Sequence, residues 1–270
     1  MQLLSARLDL PAATAATEFP FSVPSIRAMP EIGLDFPVTL FVGENGSGKS
    51  TLLEALAINT KLPTVGRQSA ARDPTLESQR KLARYLKLSW GQRSHRGFFL
   101  RAEDFFGFAH RLREQKTEHR AELKRIAVEY ADASDYARGL AEGPHRGSLA
   151  AIEGRYGSDL DARSHGESFL ELFQARLVPN GLYLLDEPEA ALSPQSQLAF
   201  VAMMKDAVDQ GSQFVIATHS PVLMAIPRVR ILSFDEDPPT FVDFEDVDHV
   251  TLLRDFLQQP ARFLRHIWGE

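Results

Sequence analysis

Apolar and polar positions along the chain form three short apolar runs, each ending in a cluster of polar residues, with stretches of helical period between them. Residues 37–42 (PVTLFV) lead into Gly43, Leu182-Tyr183-Leu184-Leu185 runs into Asp186-Glu187-Pro188, and Gln213 to Thr218 runs into His219-Ser220-Pro221. Unbroken β-rich runs of this length mark strands buried on both faces, as in a parallel sheet. Residues 51–58 (TLLEALAI) have helical character. Ser164 with Glu167 three residues on has the form of a capping box, and Phe169, Leu170, Leu172, Phe173 and Leu177 supply the buried face of the helix it would start. Ser193 followed by Pro194 predicts a second start, with Leu198, Val201, Met204 and Val208 facing inward until Gly211. Phe105, Phe108 and Leu112, then Leu123, Ile126 and Tyr130, share a face whose middle is weakened by Gln115 and His119. They predict one long helix or a broken pair. Residues 97–103 read as a strand, 229–234 and 240–244 as two strands around Pro238-Pro239, and 250–268 as a helical tail interrupted at Pro260.

Composition narrows the class. A chain of 270 residues can bury a large core without staples. It contains no Cys, which excludes disulfides and thiolate metal sites, and a reducing cytoplasm is the expected setting. The opening apolar run is interrupted by Arg7 and Asp9, and no segment approaches 18 consecutive apolar residues, so neither a signal sequence nor membrane insertion is expected. The net charge of −6 gives no global basic field for nucleic acid. Any such contact would be local, and the candidate is the basic flank Arg113, Lys116, Arg120 and Lys124 of the long helix, opposite Glu114, Glu118 and Glu122. A solvated helix face explains the same pattern.

The polar cluster after the first run is Gly43-Glu44-Asn45-Gly46-Ser47-Gly48-Lys49-Ser50, which matches G-x-x-x-x-G-K-[ST] between a strand and a helix. Glycines let backbone N–H groups turn toward phosphate oxygens, and the helix N-terminus adds its dipole. Lys49 reaches the β- and γ-phosphates, Ser50 offers a hydroxyl to Mg²⁺, and Thr51 continues the motif into the helix. Asp186 then reads as the Mg²⁺-associated carboxylate and Glu187 as the group that polarises the attacking water. His219 either meets the γ-phosphate or that water, or is a satisfied histidine at a strand end.

Taken in order, GENGSGKST, SHGES, YLLDEPEAAL and ATHS resemble the Walker A, signature, Walker B with D-loop, and switch-histidine motifs of ABC-type ATPases. Their wording is similar to soluble members of the RecF, OLD and structural-maintenance-of-chromosomes kind, also labelled AAA-family ATPases. The resemblance implies an α/β fold: a P-loop NTPase of the ABC-type ATPase head, with a mixed sheet core and an inserted helical subdomain. It would form a single domain over 1–270, with 1–100 and 170–250 as nucleotide-binding core, about 101–169 as helical subdomain and 251–270 as a tail. It implies ATP and Mg²⁺ as ligands, ATP hydrolysis with Glu187, His219 and Lys49 as catalytic residues, and a homodimer in the ATP state. In that dimer Ser164, Gly166 and Glu167 at one subunit's helix start would close on ATP held by the other's loop. A role in DNA maintenance or phage defence is the expectation, with a nucleic-acid or protein partner, and a transporter's nucleotide-binding subunit is the alternative. His165 and Ser193 depart from the transporter pattern. At the Q-loop position Glu103 stands near Mg²⁺ and water, with Gln92 as rival, and among Phe19, Phe21 and Arg27 no adenine platform is singled out. The interval before the signature is too short for a long coiled-coil arm.

Overall fold

The structure is a computed structural model that describes residues 2–11, 17–65, 73–156 and 165–268. The three apolar runs become adjacent strands. A six-stranded sheet runs in the order β5 (Gly97–Arg101), β6 (Leu182–Asp186), β7 (Gln213–Ala217), β3 (Val38–Val42), β8 (Arg230–Ser233) and β9 (Thr240–Val242). The first five are parallel and β9 pairs antiparallel with β8, which makes the sheet mixed. Parallel strands share one direction, so the polar residues after β3, β6 and β7 emerge at one edge, where open α/β sheets bind ligands.

Side-chain alternation divides the core between the two faces of this sheet. Val38, Leu40, Val42, Tyr183, Leu185, Phe214 and Ile216 point to one face, and Phe41, Leu182, Leu184, Val215 and Ala217 to the other. On the second face lies α2 (Lys49–Thr60), which buries Leu52, Leu53, Ala55, Leu56 and Ala57 completely. A helix apolar on every side must be enclosed. Its outer side is covered by an antiparallel sheet of β2 (Ile32–Gly33), β1 (Leu3–Leu8) and β4 (Leu86–Trp90), and by α3 (Glu77–Tyr85). The buried side chain of Gln213 joins the two sheets, donating to the carbonyls of Leu3, Leu34 and Phe36 and accepting from the N–H groups of Gln2 and Leu3.

The first face is covered by helices. α4 (Ala102–Glu129) is one unbroken helix of 28 residues, and α5 (Asp135–Tyr156) packs along it. Lys116 is buried and lies 3.8 Å from Glu153 of α5, which also pairs with Arg120 at 3.2 Å. Two members of the expected basic flank are therefore turned toward a partner helix rather than displayed as an open stripe. α6 (His165–Gln174) buries Phe169, Leu172 and Phe173 against Phe200 of α7 (Pro194–Asp209). Leu170 and Leu177 are only partly buried, and Leu177 falls after the helix.

The inward face of α7 keeps Met204 of the sequence expectation, with Val201 and Val208 partly buried against the core, and departs from it at Leu198. Gln197, Phe200, Met204 and Ala207 are buried, whereas Leu198 is 62% exposed. The Ser193 hydroxyl caps the helix by accepting from Ser196 N at 3.2 Å. Gln197 is held by the Ser220 hydroxyl and Leu192 carbonyl, which turns the Phe200 ring into the aromatic cluster at Leu198's expense. The short helix α8 (Pro221–Met224) follows β7, and the hairpin of β8 and β9 and the tail, α9 (Asp248–Gln258) and α10 (Pro260–Trp268), lie where the pattern placed them. Among the described residues no helix is long and apolar enough to cross a membrane.

Candidate functional site

The Gly-rich loop between β3 and α2 is fixed from behind. Gly48 has φ +105°, and a Cβ there would lie 3.0 Å from the Ser25 hydroxyl and 3.1 Å from Ile26 and Val23. Ser25, in α1 (Pro24–Arg27), also donates its hydroxyl to the Ser47 carbonyl. Only glycine supplies both the backbone conformation and the close approach. Asp235, following β8, accepts from Glu44 N at 2.8 Å and ties the front of the loop to the strand beside it. Asn45 and Gly46 are exposed at the tip, and Thr51 is buried in the first turn of α2.

Lys49 folds over its own loop, donating to the carbonyls of Gly43 and Glu44 at 2.7 Å each. Burial lowers its pKa, opposed by the carboxylates of Glu187, Asp235 and Asp186. Ser50 donates to Asp186 Oδ1 at 2.9 Å, so the two residues read from separate motifs meet directly. Burial raises the pKa of Asp186 to about 7; the Ser50 bond opposes this, and Glu54 and Glu187 add to it. A hydroxyl and a carboxylate at a phosphate loop form an oxygen donor pair suited to a hard divalent cation.

Beyond Asp186 the chain turns sharply. Glu187 takes a left-handed conformation, φ 48°, and its Oε1 stands 3.9 Å from His219 Nε2, beyond hydrogen-bond range. His219 is placed from its backbone: Glu189 accepts from His219 N at 2.6 Å and from the Thr218 hydroxyl at 2.7 Å. Burial and the charge of Lys49 lower the His219 pKa, against the pull of Glu187. Its Nε2 and the Ser47 hydroxyl oxygen are buried without a partner. Both are sites where a ligand oxygen would complete the hydrogen bonding. Gly43 to Ser47, His219, Phe234, Asp235, Asp248, His249 and Leu252 line a cavity of about 720 Å³. A lysine held only by carbonyls, unpartnered polar atoms and this space fit a nucleoside triphosphate.

Other expected residues lie elsewhere. Glu103 is not brought to the Ser50–Asp186 pair: its carboxylate is 68% exposed and sits 3.4 Å from Arg101 Nε. The reason is Arg101, which is beside Asp186 in register and draws Glu54, Asp73, Asp104 and Glu103 around its guanidinium. Gln92 is exposed in the turn before β5, in a cleft with Arg96 and Asn180 at the opposite end of the strands. Phe21 is buried in the core and Phe19 is 46% exposed. Ser164 lies outside the described residues, as does the side chain of His165. Gly166, in the first turn of α6, abuts the start of α7: a Cβ there would meet Ser196 Oγ at 3.1 Å and the Ala191 carbonyl at 3.4 Å. Glu167 is exposed on the same turn.

Sequence reasoning missed Glu189, Asp235, Arg101 and His249. Asp235 carried a usable signal, since it follows the apolar run 229–234 just as Asp186 follows its own run. Glu189 stands two residues beyond Glu187 in the same acidic cluster. Arg101 and His249 carried none.

Two family models match the chain. One, described as "AAA domain", matches residues 23–133, which include the Gly-rich loop. The other, described as "AAA domain, putative AbiEii toxin, Type IV TA system", matches residues 169–225, which include Asp186, Glu187 and His219. A cytochrome c biogenesis ATP-binding export protein CcmA of Rhodopseudomonas palustris strain BisB5 is 37% identical over 62 residues, 23% of this chain and 31% of that protein. The match thus spans about a third of that relative's length. Among solved structures, cbiO1 from Clostridium perfringens, part of the ABC transporter complex cbiONQ, aligns over 100% of both chains with 15% identity and a TM-score of 0.44. The Smc head domain of Pyrococcus furiosus aligns over 94% of this chain and 99% of its own, with 12% identity and a TM-score of 0.44. Two AAA-domain models thus match the segments that carry the loop and the strand-end carboxylates, and those segments meet at one edge of a mixed sheet.

Proposed function

We propose that the chain binds ATP with Mg²⁺ on residues Gly43 to Thr51 and hydrolyses it as a homodimer. The observation that carries this reading is the Ser50–Asp186 hydrogen bond, because it joins the end of the phosphate loop to the strand-end carboxylate. Ser50 and Asp186 would hold Mg²⁺, which supplies charge neutralisation on the phosphates. Lys49 exchanges its loop carbonyls for phosphate oxygens, and the amides of the loop and of the α2 N-terminus orient them. Glu187, partly exposed at its turn, accepts a proton from the attacking water, and His219 orients the reacting group from the adjacent strand end. In the dimer, Ser164, Gly166 and Glu167 of one subunit close over nucleotide on the other. The start of α6 is then itself the anion site. The physiological reading we favour is a switch in DNA maintenance or phage defence, supported by the motif wording and by the toxin–antitoxin description of the second family model. The export-protein relatives support a second reading, the nucleotide-binding subunit of a transporter.

The test is Glu187→Gln with Lys49→Ala as control. Glu187→Gln is expected to retain ATP binding, lose about 10²-fold or more in turnover and elute as an ATP-dependent dimer. Lys49→Ala should lose nucleotide binding. Normal turnover by either variant would overturn the assignment, and a monomer of Glu187→Gln at saturating ATP would overturn the dimer.

A further inference from the structure

We propose that His249, at the start of the terminal helix pair, is a second histidine of the nucleotide site, with Nε2 aimed at the terminal phosphoryl group of bound ATP. This rests on the ATP-binding reading above. Three observations carry it. The cavity in front of the phosphate loop has the loop as one wall and His219, Asp235, Asp248 and His249 as the other, so α9 faces the loop directly. The His249 ring is held in place by a hydrogen bond to the His219 backbone, and the two imidazole centroids are 6.2 Å apart. Its Nε2 is buried with no partner, as is that of His219. Two unpartnered ring nitrogens and the Ser47 hydroxyl thus belong to residues lining one cavity.

The tautomer determines what this nitrogen can do. Nε2 is the unpartnered atom, so Nδ1 makes the backbone bond and must carry a proton; a neutral His249 then presents a bare lone pair at Nε2. It can donate to a phosphate oxygen only after taking up a second proton. The charged groups around it are Asp235, Asp248, Lys49 and His219. Asp235 is already engaged with Glu44 N and the Ser233 hydroxyl. In the free protein, burial and the charge of Lys49 keep the His249 pKa below its ordinary value. A triphosphate in the cavity reverses that balance, so nucleotide binding draws a proton onto His249 and affinity rises as pH falls from 8 to 6. Val247 and Val250 anchor the first turn of α9 in the core, while Leu252, Leu257, Ile267 and Trp268 further along are exposed.

The experiment is calorimetric titration of wild type, His249→Asn, His249→Gln and Lys49→Ala with a non-hydrolysable ATP analogue and with ADP. Each is run in two buffers of different ionisation enthalpy at pH 7, and unfolding midpoints are recorded for all four. His249→Asn is expected to weaken analogue binding by roughly tenfold, the loss of one charge-assisted hydrogen bond. ADP affinity should stay within about twofold and proton uptake on analogue binding should fall. If His249→Asn unfolds, His249→Gln carries the same readouts. Analogue affinity and proton uptake equal to wild type, or an equal loss for ADP, overturn the inference and leave the ATP-binding reading intact. Absence of nucleotide binding by wild type, or binding undiminished in Lys49→Ala, overturns the ATP-binding reading and the inference with it.

Discussion

At the scale of single residues, Asp186 sets a pH dependence whose sign can be worked out. Its carboxyl has a folded pKa of about 7 because it is buried, while in the unfolded chain it titrates near its ordinary value of 3.8. Between those values the folded state binds a proton that the unfolded state has lost, so stability of the nucleotide-free protein falls as pH rises through this window. Asp186→Asn removes the penalty. It is expected to raise stability at pH 8 by on the order of 1–3 kcal/mol and to change little at pH 4, checked by urea unfolding at both pH values. An equal shift at the two pH values would show that ionisation is not the cause. The pairing of Asp186 with Ser50 was legible in the sequence because each residue ends or begins an apolar run of fixed type. Glu103 was misplaced because a carboxylate two residues past a strand is attracted to whichever cation is nearer, and no pattern announced that Arg101 would be buried.

At the scale of elements, Arg101 is the joint between β5, α2, α4 and the segment before α3. Its guanidinium lies 2.9 Å from Asp104, 3.0 Å from Asp73 and 3.2 Å from Glu54, all three carboxylates being buried. Removing one partner of such a set leaves buried charge uncompensated. Arg101→Met is therefore expected to destabilise the protein by about 3–5 kcal/mol, measured by denaturant unfolding at pH 7. Loss of less than about 1 kcal/mol would mean that solvent already screens the group. Most strands and the long helix could be read from periodicity, since buried parallel strands are uniformly apolar and α4 repeats Phe105, Ala109, Leu112 and Ile126 inward. The exposure of Leu198 on α7 could not, because the neighbouring Gln197 reaches Ser220 across 23 residues. Helix α5, with Gly139, Gly143, Pro144, Gly147 and Gly154, has weak intrinsic propensity, and α4 packs along it.

For the whole molecule, the least legible feature was the second sheet. β1 lacks the contrast and the two-residue β2 the length of a strand read alone, and both pack into the cluster that holds α2. Gln213 holds this layer to the main sheet through five hydrogen bonds. Gln213→Leu strands the carbonyls of Leu3, Leu34 and Phe36 and is expected to cost about 2–4 kcal/mol, with early amide exchange in residues 3–8 relative to β3 as its signature. Uniform exchange across both layers would argue against the joint. Because α2 is clasped between two sheets and carries the Gly-rich bend at its tip, that bend cannot swing independently of the molecule's interior. It behaves as a fixed anvil, and any closure upon a ligand must be made by what approaches from outside.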